Sequence, residues 1–391
     1  MDTLHTVLNR GCSLWEQTRM PEQEFRRRLG RIREGMKERG VDLLLVYGDS
    51  WRFGHLAFVS HFMPKNRGAL AVIPLEGEPA PVVQEPSRNN PFSKTLTWID
   101  EVRSVGKFAQ GLSGALETRK LSPKKVGLVT VREQLNIREW GEIVKLLGGA
   151  ELCDCNDLMI SLRLIKSSAE LALLKETSRI LQETLSLFGK EARPGSKECE
   201  VFAALDLAAR RRGVEDFRFL LARSSAPQIG LRPAGPSALE KDEGVLVLVA
   251  ASYQRYWAEL GQTFCLGRPS EEIKENHDQA SHMFRQLVEG TKAGVSPKTA
   301  AGWLREVPSP AARESMQSYG LGNGVGLDLT EEPYLGTEGT TEIKPGMVLT
   351  LRACFSGGDC GSALISRPCL VTDSGVESLV REEDDLISVG D

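Results

Sequence analysis

Gly322-Asn323-Gly324-Val325-Gly326-Leu327-Asp328-Leu329-Thr330-Glu331-Glu332-Pro333 is the stretch on which the reading of this 391-residue chain turns. Its glycines raise the question of a phosphate-binding loop. Such a loop needs a buried strand before it and a helix after it, so that a helix N-terminus meets the phosphate. Neither context is legible here, and the nucleotide reading is set aside. On the N-terminal side, Gly244 to Ala251 and Trp257 to Leu266 read as two strands joined by a turn. Ser270 to Glu289 then reads as a helix with Ile273, His277, Ala280, Phe284 and Leu287 along one side. From Gly320 onward the chain is glycine-rich and strand-like.

Further upstream, Ser167 and Glu170 have the spacing of a capping box, in which each side chain satisfies an orphan backbone donor of the other. The helix they open carries Leu173, Leu174, Ile180, Leu181, Leu185 and Phe188. Ser196 is positioned to cap another helix, with Val201, Leu205 and Ala208 on its buried face and Gly213 at its end. The first 155 or so residues are organised differently. Phe25, Leu29, Ile32 and Met36 predict a helix over 22–39, stopped by Gly40. Leu43 to Tyr47 and Ala69 to Pro74 are continuous apolar runs, as in strands buried on both faces. Lys125 to Val129 is a weaker strand signal, followed by a helical pattern from Arg138 to Leu147. Alternating strands and helices define an α/β domain.

Composition narrows the function. Lys plus Arg is 49 against 53 for Asp plus Glu, and no long basic block occurs, so neither nucleic acid nor an anionic membrane is an expected partner. The longest apolar runs are far short of the roughly 20 residues that span a bilayer. Met1-Asp2-Thr3-Leu4-His5 shows no basic start followed by an apolar run, so no signal peptide is read there. Eight scattered cysteines, of which only Cys153 and Cys155 are near neighbours, read as reduced thiols of a cytoplasmic protein. The five histidines (His5, His55, His61, His277 and His282) form neither HExxH nor a paired metal spacing. His277 and His282 are read as packing or surface residues of their helix. The G-x-S-x-G elbow of serine hydrolases is absent.

Three segments together, with a fourth, resemble a known family. They are Tyr253 to Phe264, Gly322 to Pro333, and Ile343 to Arg352 with Leu370-Val371-Thr372-Asp373-Ser374-Gly375 downstream. In order and spacing they are similar to the strings YxGYxSDxTRTF, GHGIGLxxHExP, KPGMVLTxEP and RxEDxxLVTxxG of the pita-bread family of creatinase, aminopeptidase P and methionine aminopeptidase. Arg163-Leu164-Ile165-Lys166-Ser167-Ser168-Ala169-Glu170 resembles the family's opening R-x-I-K-S-x-x-E. The resemblance covers about residues 160 to 380. It implies an α/β N-terminal domain over 1–160, like the smaller domain of creatinase, and an α+β pita-bread C-terminal domain over 161–391.

The resemblance also implies a site. In the family's metallopeptidases Asp, Asp, His, Glu and Glu hold two divalent metals that activate a water. The matching positions here are Leu248, Glu259, Asn323, Arg352 and Ser366. The second histidine, in HExP, is matched by Thr330, and no histidine stands near 230–232, where the family's upstream one falls. One anionic ligand and one guanidinium do not make a two-metal site, so the expectation is no metal and no cofactor. Creatinase-like relatives open C–N bonds of small zwitterionic compounds without metal. The expectation drawn is therefore a metal-independent, creatinase-like hydrolase acting on a C–N bond of a small polar substrate, working as a homodimer. In it Glu259 and Tyr256 are catalytic, and Arg352, Asn323, Glu332 and His55 bind substrate. The stretch from Trp51 to His61, read as a loop, would form a lid over the partner's site. Two alternatives stand beside it: a non-catalytic pita-bread binding module, and a metal-dependent Xaa-Pro peptidase.

Overall fold

The apolar run at Leu43 becomes the interior of a six-stranded sheet because both its faces are covered. The protein is described by a computed structural model over residues 14–65, 67–307, 309–336, 339–358, 361–381 and 385–389. It divides into two units, Met1–Arg163 and Leu164–Asp391. The N-terminal signal-peptide reading and His5 lie outside the described residues.

In the first unit the strands are β1 (Leu43–Asp49), β2 (Gly68–Pro74), β3 (Ala80–Val83), β4 (Arg103–Ser104), β5 (Lys125–Val129) and β6 (Glu151–Asp154), in the order β4-β3-β2-β1-β5-β6. β1 runs antiparallel to β2 and parallel to β5. Leu43, Leu45 and Tyr47 point to one face, where Phe108, Leu112 and Ala115 of helix Phe108–Thr118 and Ile143 of helix Ile137–Leu147 complete a core. Helix Glu22–Glu38 buries the predicted Phe25, Leu29, Ile32 and Met36.

One local expectation is corrected here. The Trp51–His61 stretch is not a loop: Gly54–Ser60 is a helix with Leu56, Ala57, Phe58 and Val59 buried. His61 closes it at φ 57°, and its ring centroid lies 5.4 Å from that of Phe25. Seven residues are too few to display a helical period, so the pattern was illegible. Only the start of the stretch is open, with Trp51 66% exposed.

Among the described residues the second unit is built on nine strands: β7 (Asp216–Arg223), β8 (Glu243–Tyr253), β9 (Tyr256–Leu266), β10 (Gly322–Gly324), β11 (Glu331–Tyr334), β12 (Val348–Gly357), β13 (Gly361–Val371), β14 (Val376–Ser378) and β15 (Ile387–Val389). The main path is β11-β10-β12-β13-β9-β8-β7; β14 adds to β13, and β15 runs parallel to β9. Alternation decides what each face does. Leu349, Leu351, Ala353 and Phe355 of β12 and Ala363 and Ile365 of β13 pack with Ala280, Met283, Phe284 and Leu287 of helix Glu271–Gly290. Arg352, Cys354, Leu364 and Ser366, at the intervening positions, therefore face the other way. The capping box forms as read, with Ser167 and Glu170 closing the start of helix Ser168–Ser186. Ser196 does not cap: the N-cap of helix Glu198–Arg211 is Lys197, and the Ser196 hydroxyl donates to Glu191 O.

The β8–β9 hairpin turns on Gln254 and Arg255, both left-handed at φ 47° and 72°. Two-residue hairpins favour this geometry, but Asn and Gly reach it at least cost. Here a buried ion pair holds it. Arg255 Nη1 donates to Glu215 Oε1 at 2.6 Å, and the Arg255 backbone N–H donates to Glu215 Oε2 at 2.9 Å. Both side chains are fully buried, and burial drives the Glu215 carboxyl above its ordinary pKa against the pull of Arg255. Arg255→Met should therefore leave an uncompensated carboxylate and cost about 3–5 kcal/mol. Chemical denaturation followed by tryptophan fluorescence checks this; an unchanged midpoint would refute it.

Candidate functional site

Four strands bring four of the five matched positions together. Leu248 on β8 lies opposite Gly261 on β9, Gly261 lies opposite Ser366 on β13, and Ser366 lies opposite Arg352 on β12. Glu259, two residues from Gly261, shares its face. Gly261 lets these strands close up: a Cβ there would sit 2.8 Å from Leu364 Cγ and 2.9 Å from Ser366 Cβ.

The centre is a charge cluster. Arg352 donates to Glu259 Oε1 from Nε at 2.9 Å and from Nη2 at 2.6 Å, and the Ser366 hydroxyl donates to the same oxygen at 2.8 Å. Arg352 Nη1 donates to Tyr319 O at 3.1 Å. The side chains of Arg352 and Glu259 are 11% and 8% exposed. Burial alone would lower the guanidinium pKa, but the Glu259 carboxylate reverses the sign and holds Arg352 above its ordinary value. Leu248 packs beside this pair in an apolar patch with Ala222, Leu246, Cys354 and Leu364.

These residues do not fit a pair of divalent metals. Hard cations require several oxygen or nitrogen donors. The cluster offers one carboxylate, already saturated on one oxygen by a guanidinium, together with a hydroxyl, an amide and a leucine. Among the described residues, no group of three or more His, Cys, Asp or Glu side chains is placed to hold a metal ion.

The other expected site residues scatter. Asn323 is buried, and its amide donates to Gly324 O at 2.8 Å and Leu329 O at 3.2 Å, which uses it to shape its own loop. Tyr256 is fully buried, and its hydroxyl donates to Glu170 at 3.2 Å, locking the capping box to β9. It is three residues from Glu259, so period-2 alternation points it to the opposite face. Glu332 accepts from the Thr341 hydroxyl, and Glu331 accepts from Lys166. His55 stands in the first unit, with Nδ1 3.0 Å from Arg163 Nη1. Motif matching marks Ser366 only as a substituted ligand position. Its role as the third donor to Glu259 depends on cross-strand register, which no local motif displays.

Comparison with known proteins settles the family. The family model described as Metallopeptidase family M24 matches residues 172–387. Xaa-Pro dipeptidases of Pyrococcus horikoshii and Pyrococcus furiosus are 23% and 24% identical to this chain, covering 74% of it and 80% and 79% of their own lengths. Among solved structures, the prolidase from Pyrococcus horikoshii superposes with TM-score 0.79 at 23% identity over 92% of this chain and 100% of its own. The X-Pro aminopeptidase from Thermotoga maritima gives TM-score 0.80 at 20% identity, over 92% and 99%. The second unit is thus a pita-bread-type domain, and the chain belongs to metallopeptidase family M24.

This overturns the expectation of a metal-independent, creatinase-like hydrolase. The family is one of metallopeptidases, and the two Pyrococcus relatives are Xaa-Pro dipeptidases, not creatinase-like enzymes. The geometry agrees, since a carboxylate held by Arg352 and Ser366 is not presented as a free base.

A double-mutant cycle tests the cluster. Arg352→Met should destabilise the protein by about 3–5 kcal/mol, because it strands the Glu259 charge, while Arg352→Met with Glu259→Leu should recover most of that loss. Additive losses measured by chemical denaturation would contradict the pairing.

Proposed function

We propose that this chain is a member of the metallopeptidase family that lacks the metal ligands and acts as a binding module for a small peptide. The observation that carries this reading is the 2.6 Å contact from Arg352 Nη2 to Glu259 Oε1, which places a fixed cation beside the one remaining carboxylate. A guanidinium neutralises charge but offers no open coordination position, so it neither binds nor activates a water as a metal does. The relatives' Xaa-Pro dipeptides define the ligand chemistry to try first. A homodimer completes the proposal, carried over from the creatinase-like resemblance.

The relatives favour a second reading, metal-dependent cleavage of Xaa-Pro dipeptides. Incubation of the purified protein with Gly-Pro and Ala-Pro, with and without Mn²⁺ or Co²⁺, separates the two. The expected result is a thermal shift by the dipeptide without proline release under any condition. Metal-stimulated, chelator-sensitive proline release would replace the binding reading with the peptidase one. Light scattering at micromolar concentration should report twice the monomer mass, and a monomer would remove the dimer from the proposal.

A further inference from the structure

A broad concavity of the first unit lies along the edge of its sheet, away from every residue assigned above. Its volume is about 1130 Å³, beyond the roughly 300–1,000 Å³ usual for small-molecule sites. β4 is the terminal strand of that sheet, and Val102 to Gly106, which contain it, form one wall. The 3-10 turn Ser87–Asn89 and the residues around it form another.

The lining is strongly asymmetric in charge. Lys65, Arg67, Arg88 and Arg103 are cationic, and Glu85 is the sole anion among the lining residues. Arg103 is engaged by Glu101, and Glu85 accepts from the Ser93 hydroxyl. Lys65 Nζ lies 3.7 Å from the Phe92 ring centroid, which fixes an ammonium over a 41% exposed aromatic face. Arg67 and Arg88 are exposed and form no ion pair with any described residue. Unpaired guanidiniums suit carboxylates, which they grip in a planar fork.

From the terminal strand, the volume and the charge together, we infer that this groove docks an acidic peptide segment in extended form. Pairing along a sheet edge supplies backbone affinity, and the cations select acidic side chains. The inference is independent of the binding reading for the second unit, because no residue is shared.

The test uses the full chain and a fluorescein-labelled peptide of alternating glutamate and alanine, followed by anisotropy. A peptide with lysine in place of glutamate is the control, and ATP is the competitor that represents phosphate-bearing small molecules. The glutamate peptide should bind, weaken as salt rises, and lose about tenfold or more in affinity to Arg67→Glu with Arg88→Glu. The lysine peptide should not bind. Absence of glutamate-peptide binding, or binding unchanged in the double variant, would overturn the inference. ATP binding in place of the peptide would overturn it in favour of a phosphate-bearing small molecule. Both substituted side chains are exposed, so circular dichroism should show the variant folded as the parent.

Discussion

A carboxylate that is nearly dry needs a cation, and in the C-terminal sheet the cation beside Glu259 is Arg352. Neighbouring features follow from that pairing. The guanidinium directs two donors at one carboxylate oxygen, and Ser366 supplies a third. With the charge neutralised from within the protein, the adjoining position on β8 is free to be apolar, and Leu248 packs there with Leu246 and Leu364. Removing either member would leave a buried charge. Such pairs resist change one residue at a time, although an apolar replacement of both is tolerated.

The remaining family motifs are used structurally. Lys166, from the opening motif, pairs with Glu331 while its backbone N–H donates to Gly346 O at 2.9 Å. It thereby ties the start of the domain to two later segments. Glu170 caps its helix and accepts from Tyr256. At the positions where the family strings carry Arg in TRTF and Asp in RxED, this chain has Gln262 and Arg367. Arg367 Nη2 donates to Gln262 Oε1, so the guanidinium donor of this cross-strand contact stands on β13. The polar framework is rewired without loss of the fold.

How much of this was legible differs by level. β1 and β2 announced themselves because strands buried on both faces are continuous apolar runs, β5 gave a weaker signal because Lys125 and Gly127 interrupt its run, and helix Glu22–Glu38 was legible because its apolar residues keep the helical period. The capping box was legible because its chemistry is local. The Gly54–Ser60 helix was not, being too short for a period, and the capping signal of Ser196 goes unused because the N-cap falls on Lys197. At the candidate site, the convergence of Arg352 and Glu259 came from motif positions. The opposite facing of Tyr256 follows from strand alternation, and the third donor from Ser366 required register across β12, β13 and β9. The functional expectation erred further: it combined substituted ligand positions with creatinase-like chemistry, whereas the family is one of metallopeptidases and the two Pyrococcus relatives are Xaa-Pro dipeptidases.

The most direct measurement is calorimetric titration of Mn²⁺ and Co²⁺ into the native protein and into a variant that restores the family's donors, Leu248→Asp with Asn323→His, Arg352→Glu and Ser366→Glu. If the Arg352–Glu259 pair stands in place of the metals, the native protein takes up no metal at this site and the restored variant does. Binding of about two metals per native chain, lost on Glu259→Gln, would contradict the account.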